Sequence, residues 1–102
     1  MQQKLSTREE YSRRINIVIE YINNHLGEDM SIDTLAGISN FSPYHFHRIT
    51  HAMLGEPIGA FIMRMRVETA ARLLRYSDMP IQEVAYKVGY DVPSSLSKAF
   101  KT

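Results

Sequence analysis

A chain of 102 residues with 44% hydrophobic side chains can build one small domain, or two very small ones that share an element, and nothing larger. Lysine plus arginine number 12 against 11 aspartates and glutamates, so a global basic signature for nucleic acid is absent; the slight basic excess lies in residues 31–102, with eight basic and six acidic side chains. The absence of cysteine excludes a disulfide framework and a thiolate metal site, and every apolar run is broken within a few residues, so a soluble, cytoplasmic chain with no membrane partner is expected.

Residues 1–6 read as a loose tail. The first helix starts at Ser6 or Thr7, each followed three residues later by a glutamate in capping-box spacing, and Tyr11, Ile15, Val18, Ile22 and Leu26 form its apolar face before Gly27, a plausible left-handed stop. Ser31 caps a short helix through Ile32, Leu35, Ala36 and Ile38 that stops near Asn40. Ser42-Pro43 then opens a helix with Phe46, Ile49 and Met53 inward, ended by Gly55. Two short helices across a tight turn are the outline of a helix-turn-helix.

Pro57 to Tyr76 follows as a helix with Ile58, Phe61, Ile62, Met65, Thr69, Ala70 and Leu73 on one face and Arg64, Glu68, Arg72 and Arg75 on or near the other. At 1.5 Å per residue such a rod spans roughly 30 Å. After Asp78-Met79 the earlier pattern restarts: Pro80 in a first turn, an apolar face of Ile81, Val84, Ala85 and Val88, a stop at Gly89, a turn, and a last helix from Pro93 with Leu96 and Phe100. Its cap falls to Asp91 or to Val92, a poor capping residue.

Ile32, Leu35, Ala36 and Phe41 match Ile81, Val84, Ala85 and Tyr90 at an offset of 49, and Asn40 falls on Gly89. In the following helices the offset becomes 50, with Phe46 on Leu96 and Arg48 on Lys98. One supersecondary unit is thus used twice. The paired alanines suit the close crossing of the two helices of each unit. The expected organisation is an N-terminal helix plus first helix-turn-helix over 1–56, a linker helix over 57–76 and a second helix-turn-helix over 77–102: an all-α fold of two homeodomain-like units joined by a long helix.

On the first unit's second helix Tyr44, His47, Arg48 and His51 recur at i, i+3, i+4 and i+7; the same offset gives Ser94, Ser97, Lys98 and Lys101 on the second. All hydrogen-bond or carry positive charge, and neither set holds an acid, whereas a merely solvated surface mixes both signs. A major groove asks for this content: basic side chains for guanine acceptors, hydroxyls for base edges or phosphates, and helix N-termini for phosphate oxygens. A rod of roughly 30 Å approaches the 34 Å between successive major-groove faces on one side of B-DNA, so one chain is expected to read two adjacent half-sites.

At these residues the chain resembles the DNA-binding domain of the AraC/XylS family of bacterial transcription regulators, from about Arg13 to the end. The resemblance is carried by Asn40 to Arg48, by Phe61 to Arg66 with Ala70, Leu73 and Leu74, and by Ile81 to Tyr90 with Ser97 to Lys101. It implies two helix-turn-helix units on a long helix, double-stranded DNA in adjacent major-groove segments, and RNA polymerase as a partner. Carried over by position, Tyr44, His47 and Arg48 fall where the first reading helix contacts DNA, and Ser94, Ser95, Ser97 and Lys98 where the second does; Ser42 and the two outer residues His51 and Lys101 complete the candidate set. Thr50 stands where the family usually has an aromatic residue, and Pro93 where a polar one is more usual. The chain stops at Thr102, where family members continue with a glycine turn and a final helix, so a fragment lacking that helix is expected. Because the unit begins near Met1, a domain through which a small-molecule effector acted would lie after it, beyond this chain, as in the subgroup with a C-terminal ligand-sensing domain; small stand-alone regulators also exist.

Two other readings carry less. His47 and His51 at i, i+4 have metal-ligand spacing, but no cysteine exists and the nearest acids, Asp33 and Glu56, lie in other segments, so neither metal nor other cofactor is expected. No nucleophile, base and orienting acid recur at motif spacing, which argues against an enzyme. The remaining rival is a helical protein-interaction module using Tyr44, Met63 and the exposed arginines.

Overall fold

The computed structural model describes residues 6–101; of the tail expected at residues 1–6, residues 1–5 lie outside them, and Ser6 belongs to the first helix's capping box instead. Those residues form six helices and no strand: α1 (Thr7–Asn24), α2 (Ile32–Ser39), α3 (Pro43–Leu54), α4 (Ile58–Tyr76), α5 (Ile81–Lys87) and α6 (Pro93–Phe100). They divide into two compact units. The first takes the chain up to Asn24 and Met30–Ile58; the second takes His25–Asp29 and everything from Gly59 on.

In the first unit α1 begins in the capping box that the sequence implies. Ser6 Oγ accepts from the Glu9 N–H (3.1 Å) and Glu9 Oε1 from the Ser6 N–H (3.3 Å), satisfying two groups a helix start leaves open. Glu10 is occupied otherwise: Arg13 Nη2 (2.9 Å) and Arg14 Nε (3.2 Å) both donate to its Oε1, and these bonds hold its carboxyl below its ordinary range. Ile15, Val18 and Ile22 are buried as one stripe of α1, which packs on α2 and α3 with Leu35, Ala36, Phe41 and Phe46 buried there. Ser31 caps α2, its Oγ accepting from the Thr34 N–H at 3.1 Å.

The second unit has its own core of Ala70, Val84, Ala85, Val88 and Leu96, with Leu73, Met79 and Tyr90 packed against it. The repeat is visible in the backbone. Phe41 N–H bonds Ala36 C=O (3.0 Å) and Asn40 N–H bonds Gly37 C=O (3.1 Å); Tyr90 with Ala85 (2.8 Å) and Gly89 with Tyr86 (3.2 Å) do the same in the second unit. This paired closure is the Schellman helix stop, which needs a left-handed residue, supplied by Asn40 (φ 63°) and Gly89 (φ 103°). Ala36 and Ala85 are buried at the matched position.

Several expectations are corrected. α1 ends at Asn24, and Gly27 is not left-handed; a Cβ there would stand 2.9 Å from the Lys87 carbonyl oxygen, so close backbone approach selects glycine. Pro57 and Pro80 precede α4 and α5 instead of opening them. Ile32 and Ile81 are 43% and 44% exposed, because at the first helical position a side chain leans beyond the helix start. Met53 and Phe100, at or next to the ends of α3 and α6, are likewise well exposed. No helix among the described residues is long and apolar enough to cross a membrane.

Candidate nucleic-acid interface

In the first unit the orientation of α3 follows from its buried side. Phe46 and Thr50 are fully buried, and the Thr50 hydroxyl donates to the Phe46 (2.8 Å) and His47 (3.1 Å) carbonyls, so the residue that replaces the expected aromatic brings no unpaired polar atom inside. Ser42 caps the helix, its Oγ accepting from the His45 N–H at 3.2 Å. Its hydroxyl proton remains available on an exposed residue.

Turning Phe46 inward turns Tyr44, His47, Arg48 and His51 outward, and all four are exposed, Tyr44 by 73%. The Arg48 guanidinium carbon stands 5.9 Å from the Tyr44 ring centroid, at the outer edge of cation–π reach, and the His47 and His51 rings lie 6.2 Å apart. His47, Arg48, His51 and Ala52 line one shallow surface depression. None of the four outward side chains is engaged in an ion pair among the described residues, so their donors and charge face solvent.

His45 is exposed, yet its ring packs edge-on to Tyr11 (6.0 Å) and to Phe41 (5.5 Å), and the Arg14 guanidinium carbon stands over the Phe41 ring, 4.8 Å from its centroid. This aromatic cluster fastens the start of α3 to α1, which makes His45 part of the scaffold.

In the second unit Leu96 is fully buried and sets the rotation of α6 as Phe46 sets that of α3. Ser94, Lys98 and Lys101 are exposed, while Ser95 and Ser97 are half-buried. Val92 gives α6 no side-chain cap; Pro93 has no N–H and the Ser95 N–H bonds the Val92 carbonyl (3.1 Å), which leaves the Ser94 N–H to solvent or to a ligand. An anion there meets the positive end of the helix. Another depression of this unit, lined by Pro80, Gln82, Glu83, Tyr86 and Asp91, carries two carboxylates and makes a poor neighbour for phosphate. Among the described residues no group of three or more histidines and acids is placed to hold a metal, and His47 and His51 gain no third ligand.

A helix-turn-helix domain family model matches residues 35–102. The chain is 30% identical over 91 residues to the HTH-type transcriptional regulator YbfP of Bacillus subtilis, an alignment covering 89% of this chain and 31% of that protein. The C-terminal domain of AraT, a response regulator from Geobacillus stearothermophilus, superposes with a TM-score of 0.79 at 33% identity, covering 89% of this chain and 76% of that one. The DNA-binding domain of the global transcriptional factor AdpA, solved in complex with a target DNA, gives 0.79 at 30% identity over 86% of this chain and 79% of that one. The chain spans under a third of the length of YbfP.

Proposed function

The chain belongs to the AraC-type helix-turn-helix family of transcription regulators, and from that membership we propose that its α3 and α6 enter adjacent major-groove segments of double-stranded DNA. The observation that carries the proposal is the twice-used unit, which in both copies turns a buried apolar residue inward and an acid-free, hydrogen-bonding or cationic face outward. The AdpA domain, alike in fold and solved with its target DNA, supports DNA as the ligand of that face. The protein-interaction reading has no observation of its own in its favour.

In this reading Tyr44, His47, Arg48 and His51 read the first segment. Ser94 and Lys98 read the second, the half-buried Ser95 and Ser97 assist them, and Ser42 and Lys101 engage the backbone. We assign the chain no catalytic step. It acts in the cytoplasm, where bacterial DNA lies, and passes its effect to RNA polymerase. An effector would work through a part of the parent protein beyond these residues.

The direct test is fluorescence anisotropy with a labelled duplex of about 25 base pairs from upstream of the protein's own gene, long enough for two half-sites one helical turn apart. Binding should prefer this duplex to a scrambled one. It should also weaken steeply with salt, since neutralising about four to eight phosphates releases counterions. A shallow salt response would overturn the DNA reading.

Within that assay, Arg48→Ala should cost about 1–3 kcal/mol on the preferred duplex and relax its preference if the guanidinium bonds a base. A uniform loss on both duplexes would move Arg48 to a phosphate, and an unchanged affinity would remove it from the interface.

A further inference from the structure

The segment His25–Asp29 connects α1 to α2, yet it is built into the second unit. Its anchorage is specific. Arg66 of α4, half-buried, donates from Nε to the Leu26 carbonyl (3.1 Å) and from Nη2 to the Glu28 carbonyl (3.2 Å), reaching across 40 and 38 residues of sequence. Leu26 is buried. Two glycines complete the junction. At Gly27 a Cβ would stand 2.9 Å from the Lys87 carbonyl oxygen at the end of α5, and at Gly89 a Cβ would run into the Leu26 carbonyl oxygen and the Arg66 guanidinium.

Gly89 is the stop from which the chain turns towards α6. The Leu26 carbonyl therefore touches both the guanidinium of α4 and the turn that sets the direction of α6. Two donors in a planar fork, each on a different carbonyl, resist rotation in a way a single bond does not. We propose that Arg66 is a positioning residue for DNA reading by the second unit: it holds the His25–Asp29 backbone against the Gly89 turn, and that contact sets the aim of α6. Arg66 itself touches no DNA in this assignment. The inference rests on α6 being a reading helix.

A double-mutant cycle separates this role from mere support of the fold, because coupling between residues shows as a departure from additive losses. Wild type, R66M, R66K, K98A, R48A and the pairs R66M/K98A, R66K/K98A and R66M/R48A are titrated by anisotropy against the upstream duplex, with thermal melts of each. K98A alone should weaken binding about tenfold. In the R66M background the K98A loss should shrink below about twofold, whereas the R48A loss should persist in full, since α3 is aimed by other contacts. R66K keeps the charge but not the two-pronged geometry, so its K98A loss should fall between the two.

If the melt of R66M is lost, the R66K pair decides: a reduced K98A loss in that folded variant supports the assignment, and an undiminished one overturns it. Equal K98A losses in the wild-type and R66M backgrounds overturn it as well. So does a K98A variant that binds like wild type, because α6 would then not be reading. Failure of the wild-type chain to show salt-sensitive binding would instead bring down the DNA reading itself, and the Arg66 assignment with it.

Discussion

Replacing Phe46 with alanine is expected to remove about 3–5 kcal/mol of stability, a large part of the 5–15 kcal/mol that a small domain commands. Phe46 is fully buried in the first unit, on the inner face of α3. Truncation removes the transfer free energy of the ring and leaves a cavity that close-packed neighbours fill only in part. The same side chain fixes which way Tyr44, His47, Arg48 and His51 point. F46A should therefore lose DNA affinity together with its folded population, while F46L, closer in volume, should stay folded and bind. Urea unfolding followed by circular dichroism measures the first effect. A loss below about 1.5 kcal/mol would mean that the site collapses around the missing ring and that α3 is aimed by other contacts.

What could be read from the sequence divides along physical lines. Helix positions came from local signals: the Ser6, Ser31 and Ser42 caps, the Asn40 and Gly89 stops and the apolar spacing are interactions within a few residues, and each appears where its spacing implies. The repeat also exposed the outward face of α3, because turning Phe46 inward leaves Arg48 no choice. Tertiary approach is a different matter. Nothing near Gly27 announces that the Lys87 carbonyl, sixty residues on, will occupy the space of its Cβ, so a local rule took it for a helix stop. Arg66 sat in a periodic pattern as one more residue of a rod, and its two carbonyl partners are invisible to periodicity. Ile32 and Ile81 count as apolar in any helical wheel, but a wheel does not show that a side chain at the first helical position leans beyond the helix start. The place of His45 is invisible locally for the same reason as the partners of Arg66: its aromatic partner Tyr11 belongs to a helix 34 residues earlier.

The repeat invites a further exchange, and its two directions are expected to give very different results. Asn40 and Gly89 occupy the same Schellman position at an offset of 49, so sequence logic makes them interchangeable. Asn40→Gly should stay within about 1 kcal/mol of wild type: the left-handed backbone suits glycine, and the greater freedom of the unfolded chain offsets part of that gain. Gly89→Asn should cost about 2–4 kcal/mol, for two reasons that add. Its φ of 103° lies well beyond the 63° that Asn40 adopts, so asparagine's tolerance of left-handed backbone does not extend to it. Its Cβ would also meet the Leu26 carbonyl, which is backbone and cannot rotate aside. Gly55→Ala supplies the control, since Gly55 is left-handed at φ 76° but has open space where its Cβ would go, so only the conformational cost of about 1–2 kcal/mol applies. Chemical denaturation of the three variants tests the ordering. If Gly89→Asn proved no worse than Gly55→Ala, the junction of Leu26, Arg66 and Gly89 would be loose enough to yield. The aim of α6 would then have to come from the core around Leu96 alone.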